Sequence, residues 1–118
     1  MNNIERVVAQ EVHERVFLYD LLHPSNLDQQ MRAQAFQEMS LTIRQEFPEV
    51  AKVYDADRVV SIYNNLRRTY VLIKRKIIAG DWNFQTLSEK RKDIYDAMSF
   101  LKYFIRHRSG PPMINPLR

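Results

Sequence analysis

The chain has 118 residues, 45% of them hydrophobic, 27% charged and 11% aromatic, with no cysteine and only two glycines. That length and composition fit one globular domain rather than two or a disordered segment. The absence of cysteine excludes disulfides, thiolate chemistry and cysteine-bound zinc, and the formal net charge is +4.

Four stretches carry a helical period and none carries the alternation of a half-buried strand, so the expected fold class is all-α. The first helix starts near Asn2 or Asn3, with Ile4, Val8 and Val12 four residues apart and Val7 widening the stripe. Phe17, Leu18 and Leu21 extend the pattern to His23-Pro24, where the proline restricts the residue before it and ends the helix. Ser25-Asn26 opens the second helix, in which Met31, Ala35, Met39, Ile43 and Phe47 recur at intervals of four, with Phe36 thickening the stripe until Pro48.

The third helix begins at Asp55 or Asp57 and runs to Ile78, where Ala79-Gly80 supplies a C-terminal stop. At 1.5 Å per residue it is a rod of roughly 33 Å. Val59, Ile62, Tyr63, Leu66, Tyr70, Ile73 and Ile77 share one face at 100° per residue, which predicts the core side. The opposite side carries Ser61, Asn64, Asn65, Arg68, Arg75 and Lys76, with Leu72 as the apolar exception. After a loop with Trp82 and Phe84, the fourth helix spans roughly Ser88 to Arg106, capped by Thr86 or Ser88. It buries Ile94, Met98, Leu101 and Ile105, with Tyr95 and Phe104 at the stripe's edge. Ser109-Gly110-Pro111-Pro112 breaks it, so the expected organisation is a helical domain over residues 1–108 and a proline-containing tail over 109–118, mobile or a docking peptide.

Catalysis is not expected. His13, His23 and His107 lie on different elements, and none has a second histidine three or four residues away to share a metal; the His13-Glu14 pair is followed at the second ligand position by Phe17. Glu89 and Asp93 have Arg91 and Lys92 at helical spacing, the pattern of solvated pairs. No glycine-rich phosphate loop exists, and no cofactor or metal is expected. Met1 to Arg6 lacks the features of a signal peptide, and no apolar run approaches the ~20 residues of a membrane span, so membranes form no part of the expectation.

The charges are unevenly placed. Residues 1–56 carry 5 Lys/Arg against 9 Asp/Glu, whereas residues 57–118 carry 13 against 5. Such a polarity orients a domain towards a polyanion, and equally towards an acidic protein surface. The amide and guanidinium groups on the outer side of the third helix are those that pair with base edges and phosphates. The candidate DNA-binding residues are therefore Arg58, Ser61, Asn64, Asn65, Arg68, Arg75 and Lys76. Asn64, Asn65 and Arg68 would face a groove while Arg58, Arg75 and Lys76 neutralise phosphates, and Lys90 to Lys92 would extend the basic surface. The competing surface is an apolar line of Val60, Val71 and Ile78, flanked by Arg67 and Lys74, together with Trp82 and Phe84; it would dock a protein partner or a second copy.

Local motifs over about residues 4–106 resemble the MADF family, the Myb/SANT-like trihelix domains of transcriptional and chromatin regulators. Phe17-Leu18-Tyr19-Asp20 followed by His23-Pro24 is similar to the family's leucine-tryptophan-aspartate step and its trailing histidine-proline. Arg32 with Ala35-Phe36 and Met39 resembles its alanine-tryptophan helix, and Tyr63-Asn64-Asn65-Leu66-Arg67 with Tyr70 resembles its third-helix signature. Ser99-Phe100-Leu101 matches the segment near its C-terminal end. Tyr19, Phe36 and Tyr63 stand where tryptophans are usual, Val16 where a proline is common, and Val59-Val60-Ser61 where the family usually carries lysines and arginines. The resemblance implies a three-helix, helix-turn-helix type core with an additional C-terminal helix. It also implies a non-catalytic, nuclear DNA- or chromatin-binding role, with protein interaction as the alternative use of the scaffold. The family's separate C-terminal interaction motif has no counterpart here, which leaves open whether the chain acts alone or as a piece of something longer.

Overall fold

The computed structural model describes residues 1–50 and 54–105. Four α-helices and no strand are present among them: α1 (Asn3–His13), α2 (Gln29–Glu46), α3 (Ala56–Ile78) and α4 (Glu89–Ala97). Single turns of 3-10 helix at Val16–Leu18, Pro48–Val50 and Phe84–Thr86 punctuate the connections, and a longer one, Ser99–Tyr103, follows α4. The expected tail over 109–118 and the expected helix end at Arg106 lie outside the described residues.

Each α-helix starts on a side chain that accepts one of the amide protons a helix leaves without an internal partner. Asn2 accepts from Glu5 N while the Glu5 carboxylate accepts from Asn2 N, a reciprocal capping box. Asp28, Asp55 and Ser88 accept from Met31 N, Arg58 N and Arg91 N. α3 ends on Gly80, whose φ of +82° is open to glycine at little cost. The Gly80 amide donates to Ile77 O and the Asp81 amide to Lys76 O, the paired bonds of a Schellman stop.

α3 is the centre of the molecule, in contact with α1, α2 and α4. Val59, Tyr63, Leu66, Tyr70 and Ile73 are its buried positions, the first four in one core cluster with Val8 and Val12 from α1, Met39 and Ile43 from α2, and Ile94 from α4. The inward side is therefore the predicted one, with Ile62 and Ile77 half-buried at its margins. Rings thicken this core: Tyr70 lies 5.3 Å from Tyr95, and Phe36 lies 6.3 Å from Tyr63.

Two helices are shorter than their hydrophobic patterns suggest. α1 stops at His13 rather than continuing to Leu21, and side chains that follow its end take two of its last carbonyls. The Tyr19 hydroxyl donates to His13 O at 2.7 Å and the Arg15 guanidinium to Glu11 O at 3.0 Å. The released chain folds into a bonded connector: Leu22 N donates to the Asp20 carboxylate, Ser25 N to His23 Nδ1, and Asn26 Nδ2 to Phe17 O. Arg32 on α2 donates to Leu18 O and Asn26 O, tying the connector to the core. Asn26 is thereby buried, and Asp28, two residues beyond the expected opening Ser25-Asn26, caps α2 instead. Leu21, predicted inward, is 65% exposed, and Met31 is exposed as well.

α4 likewise ends at Ala97 rather than near Arg106, and the chain tightens into 3-10 geometry. With three residues per turn, Met98, Leu101 and Phe104 share one side, and Met98 and Leu101 are fully buried there. Phe100 turns back to α1, stacked on the His13 ring at 4.6 Å and edge-on to Tyr19 at 4.9 Å.

Burial pushes the phenols of Tyr19 and Tyr63 above their ordinary range, and that of Tyr70 up to about 12. In the unfolded chain these groups ionise near 10, so between there and about 12 the unfolded state loses protons that the native state keeps. Their contribution to stability should be complete below pH 10 and decline as pH rises towards 12. Tyrosinate absorbance of the folded protein should lag that of the urea-unfolded chain over this range. Superimposable titrations would show these phenols to be solvated.

Candidate nucleic-acid interface

The core stripe of α3 aims its other side at solvent. Arg58, Ser61, Asn64, Asn65, Arg68 and Arg75 are all exposed there, and Lys76 is half-exposed. Asn65 Oδ1 accepts from Arg68 Nη1 at 3.0 Å, so an amide and a guanidinium one turn apart are held together at the surface. Arg58 lies over the Tyr54 ring at 5.7 Å, which anchors it near the N-terminal end of the helix. Lys76 sits 3.7 Å from the Asp81 carboxylate in an exposed pair of little energetic weight. Among the described residues neither Arg68 nor Arg75 has a carboxylate partner.

Beside this face runs a shallow groove of about 430 Å³, lined by Asn64, Arg67, Arg68, Val71, Leu72 and Arg75. Its rim holds three guanidinium groups and no carboxylate. Asn64 and Arg67 also line a second groove of about 600 Å³, closed on its other side by Leu21 and Leu27 of the connector and by Phe104 and Ile105. Arg67 thus joins both concave surfaces. Sequence periodicity places it only at the flank of an apolar line, because it stands between the inward and outward sides of α3. Its position after Asn64-Asn65-Leu66 was the available signal.

The residues considered for a protein partner are not gathered into one exposed patch. Val60 and Val71 are half-buried against the core, whereas Ile78 is 56% exposed near the end of α3. Trp82 and Phe84 are turned onto α4: the Arg91 guanidinium covers the Trp82 ring at 4.6 Å, and Phe84 packs on Tyr95 at 5.6 Å with Lys92 at 5.8 Å. Among the described residues the most exposed aliphatic side chains are instead Leu22 at 89% and Leu27 at 87%, in the connector that the hydrophobic pattern merges into helices.

The carboxylates make structural pairs. Lys92 pairs loosely with Glu89 at 3.9 Å, but Asp93, rather than pairing within α4, receives the α-amino group of Met1 at 3.1 Å and the Arg6 guanidinium. The bond from the α-amino group, aided by Arg6, holds the Asp93 carboxyl below its usual range. His23 is spent on the connector turn and His13 on its stack with Phe100. No cluster of three metal-ligating side chains occurs among the described residues, and no helix there is long and apolar enough to cross a membrane.

The family model described as alcohol dehydrogenase transcription factor Myb/SANT-like, the MADF DNA-binding family, matches residues 9–101. The chain belongs to the MADF family. The match runs from the middle of α1 to Leu101 in the closing 3-10 turn, so it takes in α2, α3 and α4 entire. No curated protein and no solved structure matches the chain. Membership makes this a domain of DNA-binding, transcription-factor-like type. Within the MADF domain, the side of α3 free of other helices is also the side richest in amide and guanidinium groups.

Proposed function

We propose that this MADF domain binds duplex DNA through the outward side of α3, acting by recognition rather than catalysis within a nuclear regulator of transcription or chromatin. The observation that carries the reading is the exposure of Asn64, Asn65, Arg68 and Arg75 on a single helix face, where no carboxylate of the described residues neutralises the two arginines. Asparagine and arginine are the side chains that pair bidentately with adenine and guanine edges, and an α-helix fits the major groove. Arg75 and Lys76 near one end of the helix and Arg58 near the other supply positive charge for phosphates.

The exposed Asp57 stands in the first turn, where it favours the helix dipole but repels a phosphate. The basic density therefore lies towards the C-terminal half of α3, where Arg67, Arg68 and Arg75 border the groove. Lys90 and Arg91, exposed at the start of α4, extend this charge along the chain.

Fluorescence anisotropy with a pool of randomised duplexes tests the reading. Binding near physiological salt, with log affinity falling linearly in log salt, is the expected result. Absence of duplex binding under those conditions would leave the scaffold to protein interaction, with Leu21, Leu22 and Leu27 as the apolar side chains open to a partner.

A further inference from the structure

Leu72 is at odds with its surroundings. It is 39% exposed on the outward side of α3, one turn beyond Arg68 and three residues before Arg75. Together with Val71 it supplies the apolar lining of the 430 Å³ groove that Asn64, Arg67, Arg68 and Arg75 also line. The core of the domain is filled without it, since the buried positions of α3 are Val59, Tyr63, Leu66, Tyr70 and Ile73. A surface meant only to follow phosphates gains nothing from an aliphatic group at its centre, where a polar or basic residue would serve better.

We propose that Leu72 is a specificity-determining residue that contacts the C5-methyl group of a thymine in the major groove. The assignment rests on α3 being the DNA-reading helix and goes beyond it by naming a base. Thymine's methyl is the one apolar group among the base-edge features of the major groove, and apolar side chains are its complement. Arg68 and Leu72 are separated by about 6 Å along the helix, roughly two base steps, so one guanidinium and one aliphatic group meet different base pairs. The half-buried Val71 adds a second apolar side chain to the lining of the same groove. The preferred duplex therefore contains an obligatory thymine near a purine whose acceptor edge faces Arg68.

The test begins with selection of a preferred duplex from a randomised pool by the full chain, followed by replacement of each thymine with uracil, which removes only the methyl. For the wild-type protein, one such replacement should weaken binding about fourfold, the burial value of a single methyl group. Leu72→Ala should bind the thymine duplex about as weakly as wild type binds the uracil duplex, and should be indifferent to the replacement. Because the side chain lies outside the core, the variant should melt within a few degrees of wild type. A selected duplex lacking thymine overturns the assignment, as does one in which no uracil replacement changes affinity twofold. So does a Leu72→Ala protein that stays as methyl-sensitive as wild type. In each of these cases DNA recognition by the domain stands, whereas a pool that yields no bound duplex removes both readings together.

Discussion

Arg75→Ala should weaken every duplex by a similar factor and reduce the salt slope by about 0.9, the signature of one lost phosphate contact. Arg68→Ala should do more: a loss of about 1–3 kcal/mol on the preferred duplex, with discrimination relaxed at one base pair. The difference follows from their neighbours. Arg68 is aligned by Asn65 Oδ1 beside Asn64, so its fork is presented with amides for base edges, whereas no hydrogen bond to another side chain is made by Arg75 among the described residues. Arg68→Lys separates charge from geometry, since lysine keeps the positive charge but lacks the planar fork. It should recover most of the salt slope and little of the discrimination. If Arg68→Lys recovers both, the residue is a phosphate contact, and base reading belongs elsewhere on α3. Neither arginine is part of the core, so thermal unfolding of both alanine variants should stay close to wild type, which makes any loss of binding attributable to the surface.

α3 was fully legible in the sequence because every signal that defines it is local. Asp55 caps it, five of its aliphatic and aromatic positions go into the core, and Ala79-Gly80 stops it within a few residues of the last stripe position. The outward face is legible for the same reason: once the stripe fixes the inward direction, exposure of Asn64, Asn65 and Arg68 follows from 100° per residue. The ends of α1 and α4 are different. Phe17, Leu18 and Leu21 continue an α-helical pattern on paper, but the carbonyl of His13 is taken by the phenol of Tyr19, a bond that depends on the chain having already turned. After Met98, apolar residues at Leu101 and Phe104 suit a 3-10 turn as well as an α-helix, because over one turn a period of 3.0 and one of 3.6 differ by less than a residue. Leu21 and Met31, assigned to the inward stripes of two helices, stand exposed, and Asn26, read as a helix start, is a buried tie to Phe17 O. The second, 600 Å³ groove could not be seen in advance, since it is built from this connector and from Phe104 and Ile105 meeting Arg67 across the fold.

Leu101→Ala should be the most damaging single truncation in the closing segment, costing about 2–5 kcal/mol. The side chain is wholly buried at the centre of the Ser99–Tyr103 turn, with Met98 equally buried before it and Phe104 half-buried after it. Five residues of 3-10 helix have little intrinsic stability, so the segment depends on this anchor to stay docked. Its loss also loosens Phe100, which braces His13 and Tyr19, and through Tyr19 the hydroxyl bond that ends α1. A drop in melting temperature of at least 8 °C is expected from the lower bound of that cost. Tyr103→Ala, in the same turn but 82% exposed, should shift it by no more than a few degrees. Equal effects of the two truncations would mean that the segment does not pack as a turn with Leu101 inward. Duplex affinity offers a second check, because the outward side of α3 owes none of its groups to this segment. At a temperature where Leu101→Ala is still folded, it should bind within twofold of wild type. A larger loss would mean that the closing turn, through Phe104 and Ile105 beside Arg67, takes part in holding the ligand.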